Sequence, residues 1–152
     1  NRTDYIKRLI GLPADEIQFI NGDLYINNVM IKKSKLDLQF NIKCGGSTLD
    51  TEAYEETLPN GVKYIAVYRK DYTMLNSDKF IVPKDHYFFL GDNRDCSKDS
   101  RYLTSVGYVQ NNNLVGKAQV IFFSSDKERG SFFKFWKWNK SIRFDRFFNK
   151  IK

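Results

Sequence analysis

Apolar and polar side chains alternate from Tyr5 to Ile10, with Tyr5, Lys7 and Leu9 on one face and Ile6, Arg8 and Ile10 on the other. A period of two predicts a strand, which Gly11-Leu12-Pro13 closes. Ile17, Phe19 and Ile20 then lead into Asn21-Gly22-Asp23, and Leu24-Tyr25-Ile26 returns. This predicts a hairpin, because Asn and Gly both tolerate the positive φ that a tight turn demands. Asn27-Asn28 marks a second turn before Val29-Met30-Ile31. From residue 32 to 57 the pattern degrades, with mixed charges and Gly45-Gly46, and predicts loops and short edge strands. Asn60-Gly61 sets a further hairpin between aromatic and β-branched flanks. Residues 80–83 and 87–90 are the next strands. Residues 115–123, apolar on both faces, predict a central strand. Ile142, Phe144, Phe147, Phe148 and Ile151 are spaced as on a short amphipathic helix. The pattern therefore predicts a mainly β fold, an antiparallel folded sheet or partly closed barrel, with residues 32–79 inserted as a β-hairpin subdomain into a core made of 1–31 and 80–152.

Composition narrows the class. The 152 residues are 41% hydrophobic, enough for one globular domain with a real core, and the 16% aromatic content favours strands. No apolar run approaches the roughly 18 residues that a membrane-spanning helix needs, and no signal peptide opens the chain. Beginning at Asn1, within a strand pattern, the chain reads as a piece of something longer. Its net charge is +7. Residues 126–152 alone hold nine basic against three acidic side chains, so the excess is C-terminal and favours anionic partners. Cys44 and Cys96 could form one disulfide in an oxidising compartment, but lie 52 positions apart, where sequence cannot place them together, and the reading leans to free thiols. One histidine and two scattered cysteines fit no metal-ligand spacing, and His86 is read as structural.

The densest chemistry follows the apolar run Tyr87-Phe88-Phe89-Leu90: Gly-Asp-Asn-Arg-Asp-Cys-Ser-Lys-Asp-Ser-Arg, residues 91–101. The alternating aspartates suggest calcium, but no bidentate Glu follows at the required place, so the choice by composition lies between a solvated turn and a site. The string resembles the last signature box of bacterial type I signal peptidases. Residues 4–15, Asp-Tyr-Ile-Lys-Arg-Leu-Ile-Gly-Leu-Pro-Ala-Asp, resemble the box with that family's catalytic lysine, and Asn113-Leu114-Val115-Gly116-Lys117-Ala118 resembles its closing strand.

The resemblance implies a serine endopeptidase of the Ser/Lys type, anchored in the bacterial cytoplasmic membrane with its catalytic domain on the outer, periplasmic face, that removes signal peptides from secreted preproteins. It implies Lys7 as general base and Ser97 as the group that orients its amine. Asp99 and Arg101 would fix the loop by an ion pair, with Arg8 joining it and Asp92 also structuring the site. Asp4, Tyr5 and Ile6 would pair with an extended substrate. No cofactor is implied. A lysine in water, with a pKa near 10.4, keeps its proton, so a base role asks for roughly 3 to 5 kcal/mol of environmental bias, normally by desolvation. Tyr5, Leu9 and Phe89 are placed to supply it.

No serine precedes Lys7, where the family's nucleophile lies, so these residues are expected to be inactive alone. Three positions depart from the family pattern. Ala14 replaces a usual Gly, which asks the turn there to avoid positive φ. Cys96 replaces a usual Asn, and residues 102–110 are slightly long and lack a Pro. Two other readings stand: a self-cleaving regulator of the same Ser/Lys architecture, and a non-enzymatic basic aromatic β module for membrane surface or nucleic acid. The second rests on Phe132, Phe133, Phe135, Trp136 and Trp138 interleaved with lysines, rings that suit a phospholipid surface, a core, or stacked bases. Phospholipid and signal peptides are the expected partners, with nucleic acid not expected.

Overall fold

The structure, a computed structural model, describes residues 4–71, 74–124 and 142–151. It divides into two compact units, Asn1–Val115 and Gly116–Lys152.

The first unit is built from short antiparallel strands, as the alternation predicts. Strands β1 (Arg8–Gly11), β2 (Glu16–Ile20), β3 (Asp23–Ile26) and β4 (Val29–Met30) follow in order, then β5 (Lys32–Leu36), β6 (Ile42–Cys44), β7 (Ser47–Leu49), β8 (Thr51–Thr57) and β9 (Lys63–Arg69). The last three are β10 (Phe80–Ile81), β11 (His86–Leu90) and β12 (Val109–Gln110). They form sheets ordered β1-β11-β12, β10-β2-β3-β4, β5-β8-β9 and β6-β7. Turn chemistry fixes the registers. Asn21 and Gly22, at φ 51° and 81°, join β2 to β3, and Asn27 and Asn28, at 52° and 63°, join β3 to β4. Both pairs take the left-handed conformation whose twist matches a hairpin.

The predicted strand over residues 5–10 begins only at Arg8, so Asp4, Tyr5, Ile6 and Lys7 precede it as an irregular segment. Residues 32–57 hold more regular structure than their mixed charges suggest. β5 pairs along its whole length with β8, and Gly45-Gly46 is itself a tight turn, both residues at positive φ, joining β6 to β7. Inward-facing Ile10, Ile17, Phe19, Leu24, Ile26, Phe80, Val82, Phe88 and Leu90 make one core, which Tyr64, Ala66 and Tyr68 of β9 complete. Strand β9, within residues 32–79, thus shares this core.

The second unit corrects two expectations. Residues 115–123 are not a central strand: Val120 makes one antiparallel bridge, to Lys150, and Val115 and Phe122 are exposed. Alternation shows which faces could be buried, but a central strand also needs partners on both edges. The helix predicted over residues 142–152 is absent from the described part, 142–151. Those residues hold a single 3-10 turn, Phe144–Arg146, with Phe148 at φ 58°. Ten-odd residues cannot offset the cost of helix nucleation without a surface to pack their apolar stripe along. Phe147 instead packs on Phe123, 5.7 Å between ring centroids, and on Phe144 at 5.4 Å. Phe132, Phe133, Phe135, Trp136 and Trp138 lie outside the described residues. Among the described residues no helix is long and apolar enough to cross a membrane.

Candidate active site

Pairing of β1 with β11 brings the two ends of the sequence motifs together. Arg8 sits opposite Leu90 and Leu9 opposite Phe89, so Lys7, just before β1, faces the loop that leaves β11. Lys7 is half-buried, and its Nζ donates to Ser97 Oγ at 2.7 Å across 90 positions of sequence. Gly91 makes this possible. A Cβ on Gly91 would lie 2.1 Å from Ser97 Oγ and 2.3 Å from Ser97 Cβ, distances no packing tolerates.

The loop is framed from its far side by Asp99. Arg101 Nε and Nη2 donate to Asp99 Oδ1 and Oδ2 at 2.8 and 2.9 Å, and the Gly91 N–H donates to Oδ2 at 3.0 Å. Asp99 and Arg101 are both buried. Burial alone would raise the Asp99 pKa, but the Arg101 guanidinium, the Gly91 N–H and the Ser97 side chain together hold it below the usual carboxylate range. A carboxylate so satisfied fixes geometry, whatever its net worth in stability. Ser100 ties the loop back to β11: its N–H donates to Phe89 C=O at 3.0 Å, and the Phe89 N–H donates to Ser100 Oγ at 2.9 Å.

Arg8 does not join the Asp99–Arg101 pair. It makes a two-pronged ion pair with Asp92 at 2.7 and 2.9 Å, and its guanidinium lies 4.1 Å over the Tyr64 ring. Arg8, the first residue of β1, turns to Asp92 and Tyr64, while Lys7, just ahead of the strand, turns to Ser97. Asp4, Tyr5 and Ile6 are exposed beside Lys7, with Tyr5 and Ile6 71% and 78% accessible. Strand β1 is an edge, paired on one side only. An edge preceded by an exposed irregular segment can accept an extended peptide through main-chain hydrogen bonds.

Two features escaped the sequence. Cys44 and Cys96, read as free thiols, are joined in a disulfide with Cα atoms 5.8 Å apart. It closes a separation of 52 residues, and no local pattern reports such a contact. The other is Arg94, buried on Glu56, Tyr64 and Tyr68. Glu56 stands opposite Tyr64 across the β8–β9 pair, and no sequence signal marks Arg94 as their partner. Ala14, expected to avoid positive φ, has φ 71°. Its N–H donates to Val82 C=O at 2.9 Å, and that bond, with the Asp15 side chain holding the Leu12 N–H at 2.8 Å, fixes the turn.

A Lys amine on a Ser hydroxyl, framed by a buried Asp–Arg pair beside an edge strand, is a site placed to move a proton next to an extended peptide. Residues 1–123 match the family described as signal peptidase, peptidase S26. The chain belongs to that family. It is 37% identical over 97% of its length to the signal peptidase I of Rickettsia conorii and 39% identical over 98% to that of Rickettsia bellii. It covers 59% and 55% of those two proteins, so it spans rather more than half the length of the curated relatives it matches. A crystal structure of a signal peptidase I from Enterococcus faecalis is 28% identical, with 72% of this chain and 78% of that one covered and a TM-score of 0.37.

Proposed function

We propose that this chain carries the general-base half of a membrane-bound signal peptidase I that removes signal peptides from secreted preproteins by a Ser/Lys mechanism. The 2.7 Å hydrogen bond from Lys7 Nζ to Ser97 Oγ carries the reading. Ser97 accepts from the amine and so aims it.

A nucleophilic serine from outside residues 1–152 attacks the scissile carbonyl as the neutral Lys7 amine takes its proton. The resulting ammonium gives that proton to the leaving amine, and an acyl-enzyme remains. Lys7, neutral again, takes a proton from water, which attacks the ester; the ester C–O bond breaks, the ammonium returns the proton to the serine oxygen, and the signal peptide leaves as its carboxylate. The substrate lies as an added strand along Asp4, Tyr5 and Ile6, where main-chain bonds give affinity and small pockets select small side chains. Residues 1–152 alone, without that serine, cleave nothing.

The chemistry takes place at the outer face of the cytoplasmic membrane, with the C-terminal unit resting on lipid. Phe148 exposes 71% of its surface within five positions of Arg143, Arg146 and Lys150, and Phe122 exposes 77%, a mixture suited to anionic headgroups. A blue shift of Trp136 or Trp138 fluorescence on anionic vesicles supports this contact; quenching by single-stranded oligonucleotide, with no response to vesicles, refutes it.

The mechanism is tested with full-length protein and a purified preprotein. Lys7→Ala abolishes cleavage while leaving the thermal transition near that of the parent, since no other group can take the serine proton. An active Lys7→Ala enzyme overturns the assignment.

A further inference from the structure

The loop that presents Ser97 is held by residues 32–79 as well as by its own strand. Residues 92–96 each contact that inserted segment or lie between residues that do. The Val67 N–H donates to Asp92 C=O at 2.7 Å, and Val67 and Asn93 form a lone parallel bridge. The Arg69 N–H donates to Asp95 Oδ2 at 2.8 Å, and Cys96 is bonded to Cys44. Arg94 goes deepest. Its Nη1 and Nη2 donate to Glu56 Oε1 and Oε2 at 3.0 and 2.6 Å, Nη2 also meets Tyr64 Oη at 3.0 Å, and Nη1 meets Tyr68 Oη. Glu56 and Arg94 are each 1% exposed.

Such a network is costly as a device for stability alone. Burying two charges strips both of water, the Arg94 Nε makes no hydrogen bond, and well-packed apolar residues would fill the same space at least as favourably. What an apolar filler lacks is direction. A guanidinium held by two carboxylate oxygens and two phenols has one position, and Arg94 passes that position on through its main chain, because Arg94 C=O accepts from Arg101 Nη2. Arg101 grips Asp99, and Asp99 holds the Gly91 N–H. One residue therefore links the sheet β5-β8-β9 to the frame around Lys7 and Ser97.

We propose that Arg94 is a positioning residue, by which Glu56, Tyr64 and Tyr68 of the inserted segment set the place of Ser97 and hence the aim of the Lys7 amine. The proposal rests on the Ser/Lys reading above. Residues 32–79 are then a working part of the catalytic apparatus, and a shift of β8 and β9 is felt at the site.

The test uses full-length enzyme and compares the parent, Lys7→Ala, the double variant Glu56→Met/Arg94→Met, and Tyr68→Phe. The double variant removes both charges at similar volume, so no lone charge stays buried. Its kcat falls by about 10², the cost of a small misplacement at a reacting group, while KM changes less than about threefold and the pH profile of kcat/KM moves. Tyr68→Phe, which removes one hydroxyl, lowers kcat by roughly 2- to 10-fold in the same manner. A purely structural role predicts instead a lower melting temperature and active fraction, with the pH profile unmoved. A folded double variant with parental kcat and pH profile overturns the proposal, and if that variant does not fold, parental kinetics in Tyr68→Phe does so. Activity remaining in Lys7→Ala would overturn the underlying mechanism, a separate outcome.

Discussion

Gly91 and Ser97 touch so closely that no side chain fits between them: a Cβ at Gly91 would overlap Ser97 Oγ at 2.1 Å and approach Lys7 Nζ to 3.5 Å. The glycine is therefore required by space. Gly91→Ala pushes the Ser97 hydroxyl off the amine, and cleavage by the full-length enzyme should fall at least as far as in Ser97→Ala, roughly 10² to 10³. Steady-state kinetics on a preprotein measure both. Equal activity of Gly91→Ala and the parent would mean that the close approach is absent from the working enzyme.

Ala14 occupies a turn at φ 71°, a conformation that costs a non-glycine residue about 1–2 kcal/mol. Glycine removes that strain but loses more conformational entropy on folding, about 0.4–1 kcal/mol. Ala14→Gly should therefore stabilise by about 0.5–1 kcal/mol, or roughly 2–4 °C per kcal/mol for a domain of this size. Urea or thermal unfolding checks the sign. Loss of stability would show that the Cβ makes a contact worth more than the strain.

How legible the molecule is depends on how local each feature is. Asn21-Gly22, Asn27-Asn28 and Asn60-Gly61 announce their turns because the needed φ is a property of those residues alone. Gly45-Gly46 carried the same signal but was obscured by the charges around it. Lys7 and Ser97 could be paired from their motifs, while Glu56 with Arg94, 38 positions apart, could not, because buried charges in a strand look like any solvent-facing polar position until the fold closes over them. The resemblance groups Arg8 with Asp99 and Arg101, but proximity in a motif does not say which way a side chain turns, and Arg8 turns to Asp92. Residues 115–123 differ for the opposite reason: their apolar pattern is real, but among the described residues they are bridged on one side only, by Val120 to Lys150.

Asp99 makes stability depend on acid. Burial opposes its ionisation, yet Arg101, the Gly91 N–H and the Ser97 side chain win, so the folded pKa lies below the unfolded value of about 3.9. A depressed carboxylate pKa contributes stability that is fully present above the unfolded pKa and is lost as pH falls through the folded one. Urea unfolding should accordingly show stability falling from about pH 4 downwards. Asp99→Asn, which cannot ionise, should be less stable than the parent at pH 7 and show a shallower acid limb. Parallel acid limbs for the two proteins would place the titrating group elsewhere.

The disulfide between Cys44 and Cys96 makes the last case, because it joins two segments of unequal standing. Cys44 ends β6, and the β6-β7 pair is a two-stranded sheet by itself, a unit of marginal stability without further support. Cys96 stands in a loop fixed independently by Arg94 and by the Asp99–Arg101 pair. Reduction should therefore release the hairpin far more than the loop. A crosslink across 52 positions restricts the unfolded chain by up to about 4 kcal/mol on the chain-entropy model. We expect Cys44→Ser/Cys96→Ser to lose roughly 2–4 kcal/mol in urea unfolding. Amide exchange should speed up at residues 42–49 first, and cleavage by the full-length enzyme should drop only severalfold, since Ser97 keeps its other anchors. Dithiothreitol on the parent should reproduce all three changes and leave the double variant untouched. Complete loss of activity on reduction, with the rest of the fold intact, would show instead that the disulfide, and not the buried Arg94 network, holds Ser97 in place.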